Sequence, residues 1–302
     1  MINLNNKNQK FLITGGSGFI GSSLVAALLK DGHKVTILTR NKKLLKQKSA
    51  INYIDNLNIE MNFDIVINLS GETISQRWTK NAKQKIYASR IGVTKKLVEI
   101  INNSKTPPKL VISGSAIGCY GVSRDQIFAE DSQIKDQKLF SQNLCMDWEK
   151  EAAKIANKSR LVIMRTGVVI GKNGGIIKKM LLPFKLGLGG KIGRGDQYLS
   201  WIFLDDLIAA IGHIINKENI SGPINLTAPK VSSNQDFSKK LAKILNRPCF
   251  FDMPSFVAKI IFGQMASELL LCGQNVVPKK LLQSGYVFEV ESVEEALKKA
   301  AL

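Results

Sequence analysis

The chain has 302 residues, 44% of them hydrophobic, and its 43 Lys and Arg against 24 Asp and Glu give a formal net charge of +19. Such a length buries a large core, and the apolar content excludes a disordered chain. The basic surplus is scattered in pairs such as Lys42-Lys43, Lys178-Lys179 and Lys298-Lys299 rather than gathered in a tract, which argues against a nucleic-acid partner.

The first element is the apolar run Phe11-Leu12-Ile13, which reads as a short buried strand. It runs into T-G-G-S-G-F-I-G over residues 14–21, and Ser22 to Leu29 continues as a helix. A glycine-rich turn from strand to helix lets the backbone approach a pyrophosphate, which the first helical turn meets with free N–H groups. Gly15 permits the tight turn, Gly18 the close approach, and Gly21 the packing of helix on strand; Ser17, Phe19 and Ile20 complete the cradle. The next strand, His33 to Arg40, ends without the acidic residue that an NAD site carries roughly 20 residues past the glycines. Arg40 stands there instead, and a guanidinium suits a ribose 2′-phosphate, so NADP(H) is favoured over NAD(H).

Further along, Asp64 to Ser70 is a third strand ending at Gly71-Glu72, and a helical pattern extends from Asn81 to about Ile101. Pro107-Pro108 breaks it before the strand Lys109 to Ser113. A helix through Asp147-Ala153 precedes the strand Leu161 to Arg165. This βαβ alternation implies an α/β, Rossmann-type doubly wound parallel sheet covered on both faces. Residues 1–246 would form that domain, with a substrate loop over 172–200, and 247–302 a smaller helical lobe on the substrate side. The loop holds Gly187, Gly189, Gly190, Gly193 and Gly195 with Lys185, Lys191 and Arg194 among them, a composition that can fold over an anionic ligand. Trp201-Ile202-Phe203 and Asp205-Asp206 read as a strand and a helix cap. The stretches Phe256–Phe262 and Ala266–Leu271 are short amphipathic helices without a concentrated basic face, read as a cleft cap or a dimer contact rather than a membrane contact. Ser292 caps a terminal helix with Val293, Ala296, Leu297 and Ala300 inside. Four scattered cysteines (Cys119, Cys145, Cys249, Cys272) and two histidines (His33, His213) support neither a metal site, a disulfide framework nor a Ser-His-Asp triad. With no apolar leader or long apolar run, a reduced cytoplasmic protein is expected.

Several of these segments resemble an extended short-chain dehydrogenase/reductase: the glycine turn, Ser113-Gly114-Ser115-Ala116, Arg165 to Val169, and Trp201 to Leu207. Asn68-Leu69-Ser70-Gly71-Glu72, Arg77-Trp78-Thr79, Ser89-Arg90-Ile91-Gly92, Gly187-Leu188-Gly189-Gly190 and Asn225 to Pro229 are similar to an atypical epimerase-family branch, sugar-nucleotide-epimerase-like, that ends in a short domain of unknown function. The resemblance covers nearly the whole chain. It implies that Leu69, Ser70, Gly71, Glu72, Arg90 and Val168 join the cofactor site, and that Gly190, Arg194, Gln197 and Trp201 touch substrate.

The family's catalytic Tyr, with a Lys four residues later, is altered here. Ser115 matches the upstream serine, but Ser141 replaces the tyrosine, Cys145 the lysine, and Arg90 the helix asparagine. A serine hydroxyl cannot be the ionised base that a phenol supplies. Tyr120 as a replacement acid, Arg90 as a replacement cation, or an activated Cys145 would each restore a missing part. The arginine of sugar-nucleotide enzymes is also absent, with Leu199 in its place and Arg194 the candidate substitute. The expected function is an NADP-binding oxidoreductase or epimerase acting on a small polar substrate; the alternative is a non-catalytic NADP-binding redox sensor.

Overall fold

The computed structural model describes residues 2–46, 49–58, 60–155 and 158–301. Seven parallel strands form the central sheet: β1 (Lys10–Thr14), β2 (Lys34–Leu38), β3 (Ile51–Ile54), β4 (Ile65–Asn68), β5 (Leu110–Ala116), β6 (Arg160–Thr166) and β7 (Gly222–Leu226). Their order across the sheet is 3-2-1-4-5-6-7. The chain therefore reverses its winding between β1 and β4, where Thr14 lies level with Asn68. Ligands of open α/β sheets bind at such a crevice, beyond the carboxyl ends of the strands.

Alternation along β1 explains the two layers. Phe11 and Ile13 face a core shared with helices α1 (Phe19–Lys30) and α6 (Leu204–Asn216), whereas Leu12 faces the opposite core. That second core takes Leu97, Val98 and Ile101 from the helix over Val93–Asn103. The single helix expected between Asn81 and Ile101 is interrupted. α2 (Lys80–Tyr87) widens into a π-type turn over Ala88–Gly92 before α3 (Val93–Asn103) resumes. The wide turn carries Ser89 and Arg90, and such turns concentrate at functional positions. Helix α4 (Phe140–Ala152) starts earlier than its apolar pattern indicates, because its first turn is held by the distant Glu268 carboxylate.

Beyond the sheet, α5 (Gly175–Lys185) and α7 (Asn234–Ile244) enclose a separate core around Phe184, Trp201 and Phe237. Helices α8 (Ser255–Phe262), α9 (Lys279–Gln283) and α10 (Val293–Ala301) follow, with the buried face of α10 as expected. Ser292 Oγ caps α10 by accepting from Glu295 N at 3.2 Å. Asp206 does not cap its helix. Its carboxylate instead accepts from Tyr286 Oη, Glu289 N and Val290 N, tying the C-terminal segment to α6. Helix α8 fully buries only Ala258 and turns Phe256, Ile260 and Ile261 outward, while Phe262 packs inward beside Trp78 and Met265. Among the described residues, no helix is long and apolar enough to cross a membrane.

Candidate functional site

The glycine turn is shaped for close approach. Gly15 has φ +71°, and a Cβ there would lie 2.4 Å from Leu69 O; at Gly21 it would meet Gly15 O at 2.2 Å. Those two glycines serve the packing of the turn against β4 and α1. At Gly18 a Cβ would meet only Gly15 O, at 3.2 Å, and Ser17 and Gly18 are exposed. No side chain caps α1, so its first N–H groups, from Phe19 and Ile20 onward, stay open to a ligand. The Phe19 ring lies over the start of α5, where a Cβ on Gly174 would overlap it. Arg40 is 91% exposed beyond β2, with Nη2 3.9 Å from Glu72 Oε2. Leu69 N donates to Thr14 O, and Glu72 N donates to Ser89 Oγ, which fixes the loop after β4 over the π-type turn.

Arg90 lies against this loop. Its Nη1 donates to Glu72 O and Ile86 O, its guanidinium packs on the Trp148 ring, and a Cβ on Gly71 would press on it. Burial pulls its pKa below the ordinary arginine value, partly offset by Glu72.

Beneath the loop, α4 and β5 enclose polar groups that no sequence motif connects. Ser115 Oγ donates to Glu149 Oε1 at 2.6 Å. Glu149 also takes a two-pronged ion pair from Arg165, Nε at 2.9 Å and Nη2 at 2.7 Å. Arg165 Nη1 donates to Tyr120 Oη, and Tyr120 donates on to Asn225 Oδ1 at 2.8 Å. Burial opposes charge on Arg165, but its bonds to Glu149 outweigh that and raise its pKa above the ordinary value. All five residues are buried. Glu149 was legible only as the position four residues beyond Cys145, one turn further along the same face of α4.

This network corrects two readings of candidate catalytic groups. Tyr120 does not point into a cleft: its ring is buried against Phe128, its hydroxyl is engaged twice, and burial pushes its pKa up to about 12. Cys145 is buried too, and burial, with the Glu149 charge, pushes its thiol up to about 12, so it is not activated. Ser141 has another partner. Its Oγ donates to Glu268 Oε2 at 2.7 Å, and the N–H groups of Ser141 and Phe140 also donate to that carboxylate. Glu268, from the π-type turn Ala266–Leu270, thus occupies the hydroxyl at the position of the family tyrosine.

Around Arg194, a cavity of about 450 Å³ is lined by Val122, Ser123, Arg124, Asp125, Asp196, Gln197 and Tyr198, together with Leu271, Cys272 and Gly273. Arg194 Nη2 lies 2.8 Å from Asp196 Oδ2, and Arg124 4.0 Å from the same oxygen. Gln197 is braced by Nε2 bonds to Ile192 O and Leu270 O. Trp201, read as a substrate contact, is instead fully buried in the core with Phe184 and Phe237. Gly190 serves a backbone crossing, since a Cβ there would meet Phe251 O at 2.2 Å. Val168 is half-buried and donates its N–H to Ser200 O.

The NAD dependent epimerase/dehydratase family matches residues 11–226. The chain belongs to that family. Residues 253–300 of this epimerase-family chain match a domain of unknown function, DUF1731. Epimerase family protein YfhF of Bacillus subtilis is 38% identical over 293 residues, covering 94% of this chain and 95% of that protein. The human epimerase family protein SDR39U1 is 33% identical over 296 residues, 96% of this chain and 99% of its own length. The crystal structure of its isoform 2 with NADPH superimposes with a TM-score of 0.88, covering 97% of this chain and 99% of that one. A UDP-glucuronic acid 4-epimerase from Bacillus cereus, 20% identical with a TM-score of 0.76 over 97% of this chain and 98% of its own, shares the fold.

Proposed function

We propose that this chain is an NADP(H)-binding oxidoreductase or epimerase-like enzyme acting on a small polar or anionic substrate. The observation that carries the reading is the open cradle at Gly18, with the uncapped start of α1 on one side and the exposed Arg40 on the other. The residues fit the cofactor. Backbone N–H groups at the start of α1 would hold its pyrophosphate, and Arg40 would pair with a 2′-phosphate, displacing its long contact to Glu72. Leu69, Ser70 and Gly71 would form the wall beside the ribose. When bound, the cofactor supplies hydride transfer. The NADPH found with human SDR39U1 supports this preference.

The protein's own contribution centres on Ser115. Its proton is committed to Glu149, so its oxygen presents lone pairs, and it would accept a hydrogen bond from a substrate hydroxyl. Arg165 keeps Glu149 fixed as the acceptor behind it. The cavity lined by Arg124, Arg194, Asp125 and Asp196 would hold a polar part of the substrate. A second reading, a cofactor-binding sensor without turnover, is supported by the engaged hydroxyls of Tyr120 and Ser141 and the neutral Cys145.

NADPH deuterated on either face of C4 is incubated with the protein and a metabolite extract. Deuterium in a metabolite establishes a reductase and its substrate, whereas tight binding without label favours the sensor or an epimerase that returns its hydride to the same substrate. Failure to bind NADPH refutes both. Arg40→Ala is expected to weaken NADPH binding roughly tenfold while leaving NADH binding unchanged.

A further inference from the structure

The substrate loop and the start of the C-terminal segment form an apolar ledge on the outside of the molecule. Phe251 N donates to Gly189 O, Gly189 pairs in parallel with Cys249, and Gly193 N donates to Met253 O. The two segments thus run side by side into α8, where a Cβ on Gly193 would lie 2.8 Å from Ser255 Oγ. Leu186, Leu188, Phe250, Phe251, Phe256 and Ile260 are 52% to 69% exposed along this ribbon and the outer face of α8. The rings of Phe250 and Phe251 are 4.8 Å apart, and Phe256 and Ile260 lie one turn apart on α8. So many large apolar side chains together on a surface mark a binding face.

Charge selects the occupant. Lys185, Arg247 and Lys259 are exposed in the same segments. Arg247 Nε donates to Lys185 O, and Arg77 Nη1 donates to Ile260 O, which places two guanidinium groups at the ledge. The acidic Asp252 already accepts from Lys191 N and lies 3.7 Å from Lys191 Nζ. A two-fold contact between copies would set these cations toward their own counterparts, on chains that each carry +19. An anionic bilayer surface accepts both the apolar side chains and the cations. We propose that the ledge docks this protein on the surface of an anionic membrane. The cations come from separate segments, and the fold sets Arg247 against Lys185 and Arg77 against Ile260. The proposal goes beyond the cofactor reading and does not depend on it.

The test is flotation of the full chain with vesicles of phosphatidylglycerol and phosphatidylcholine, against vesicles of phosphatidylcholine alone. Binding to the anionic vesicles is expected, with partitioning reduced roughly tenfold or more in a Phe250→Ser/Phe251→Ser/Ile260→Ser variant. An unchanged circular dichroism spectrum and NADPH affinity would show that the variant is folded. No flotation of the parent chain overturns the proposal. Flotation that the apolar substitutions leave undiminished also overturns it, since that would be adsorption by net charge alone. A dimer in light scattering that the triple variant dissolves would assign the ledge to a second copy and overturn the membrane proposal as well.

Discussion

Helices α4 and α8 depart from the usual arrangement in opposite directions, although α4 also buries Leu144, Trp148 and Ala152. α4 turns Ser141, Gln142, Cys145 and Glu149 inward, and each polar head there has a protein partner or a neutral state. α8 buries Ala258 and sends Phe256, Ile260 and Ile261 out. The interior tolerates the Glu149 charge because Arg165 neutralises it with two bonds and Ser115 adds a third. No such compensation exists for the outer face of α8 among the described residues, which is why it points to something beyond the chain. Polar residues placed inside without full pairing would be a defect, and apolar residues left outside need a partner. The two helices therefore report different things, one a fixed architecture and the other an interaction.

Substitution sharpens that contrast. Glu149→Gln has the largest expected effect: it strands the Arg165 cation in the interior and should cost about 3–5 kcal/mol in urea unfolding. A loss below about 1 kcal/mol would show that water reaches the pair and would break the comparison. Tyr120→Phe comes next. It leaves Arg165 Nη1 and Asn225 Oδ1 short of a partner, for about 1–3 kcal/mol, while NADPH binding stays intact. Deuterium transfer abolished by this variant at full cofactor affinity would return Tyr120 to a chemical role. The smallest effect is expected at the ledge, where Phe250→Ser should change stability by within about 0.5 kcal/mol. A larger loss would mean that the ring packs inward.

The sequence determined the order of strands and helices, the glycine turn and the family, because these depend on short-range features: apolar periodicity, residues that permit φ above zero, and motifs of a few contiguous positions. Arg40 was singled out by its distance past the glycines, and Ser115 by the family resemblance. β3 was not legible, since Ile51–Ile54 is short and only partly buried at the sheet edge. Trp201 was misplaced because an aromatic residue beside a ligand and one in a core have the same local signature. Only the tertiary structure decided the partners of the polar groups. Ser141 meets Glu268 across 127 residues, Tyr120 meets Asn225 across 105, and β5 and β6 bring Ser115 level with Arg165. Side-chain pairing of that kind is set by how elements pack, and no local pattern encodes it. The same holds for the ledge, whose two halves meet only when residues 189–193 lie along residues 249–253.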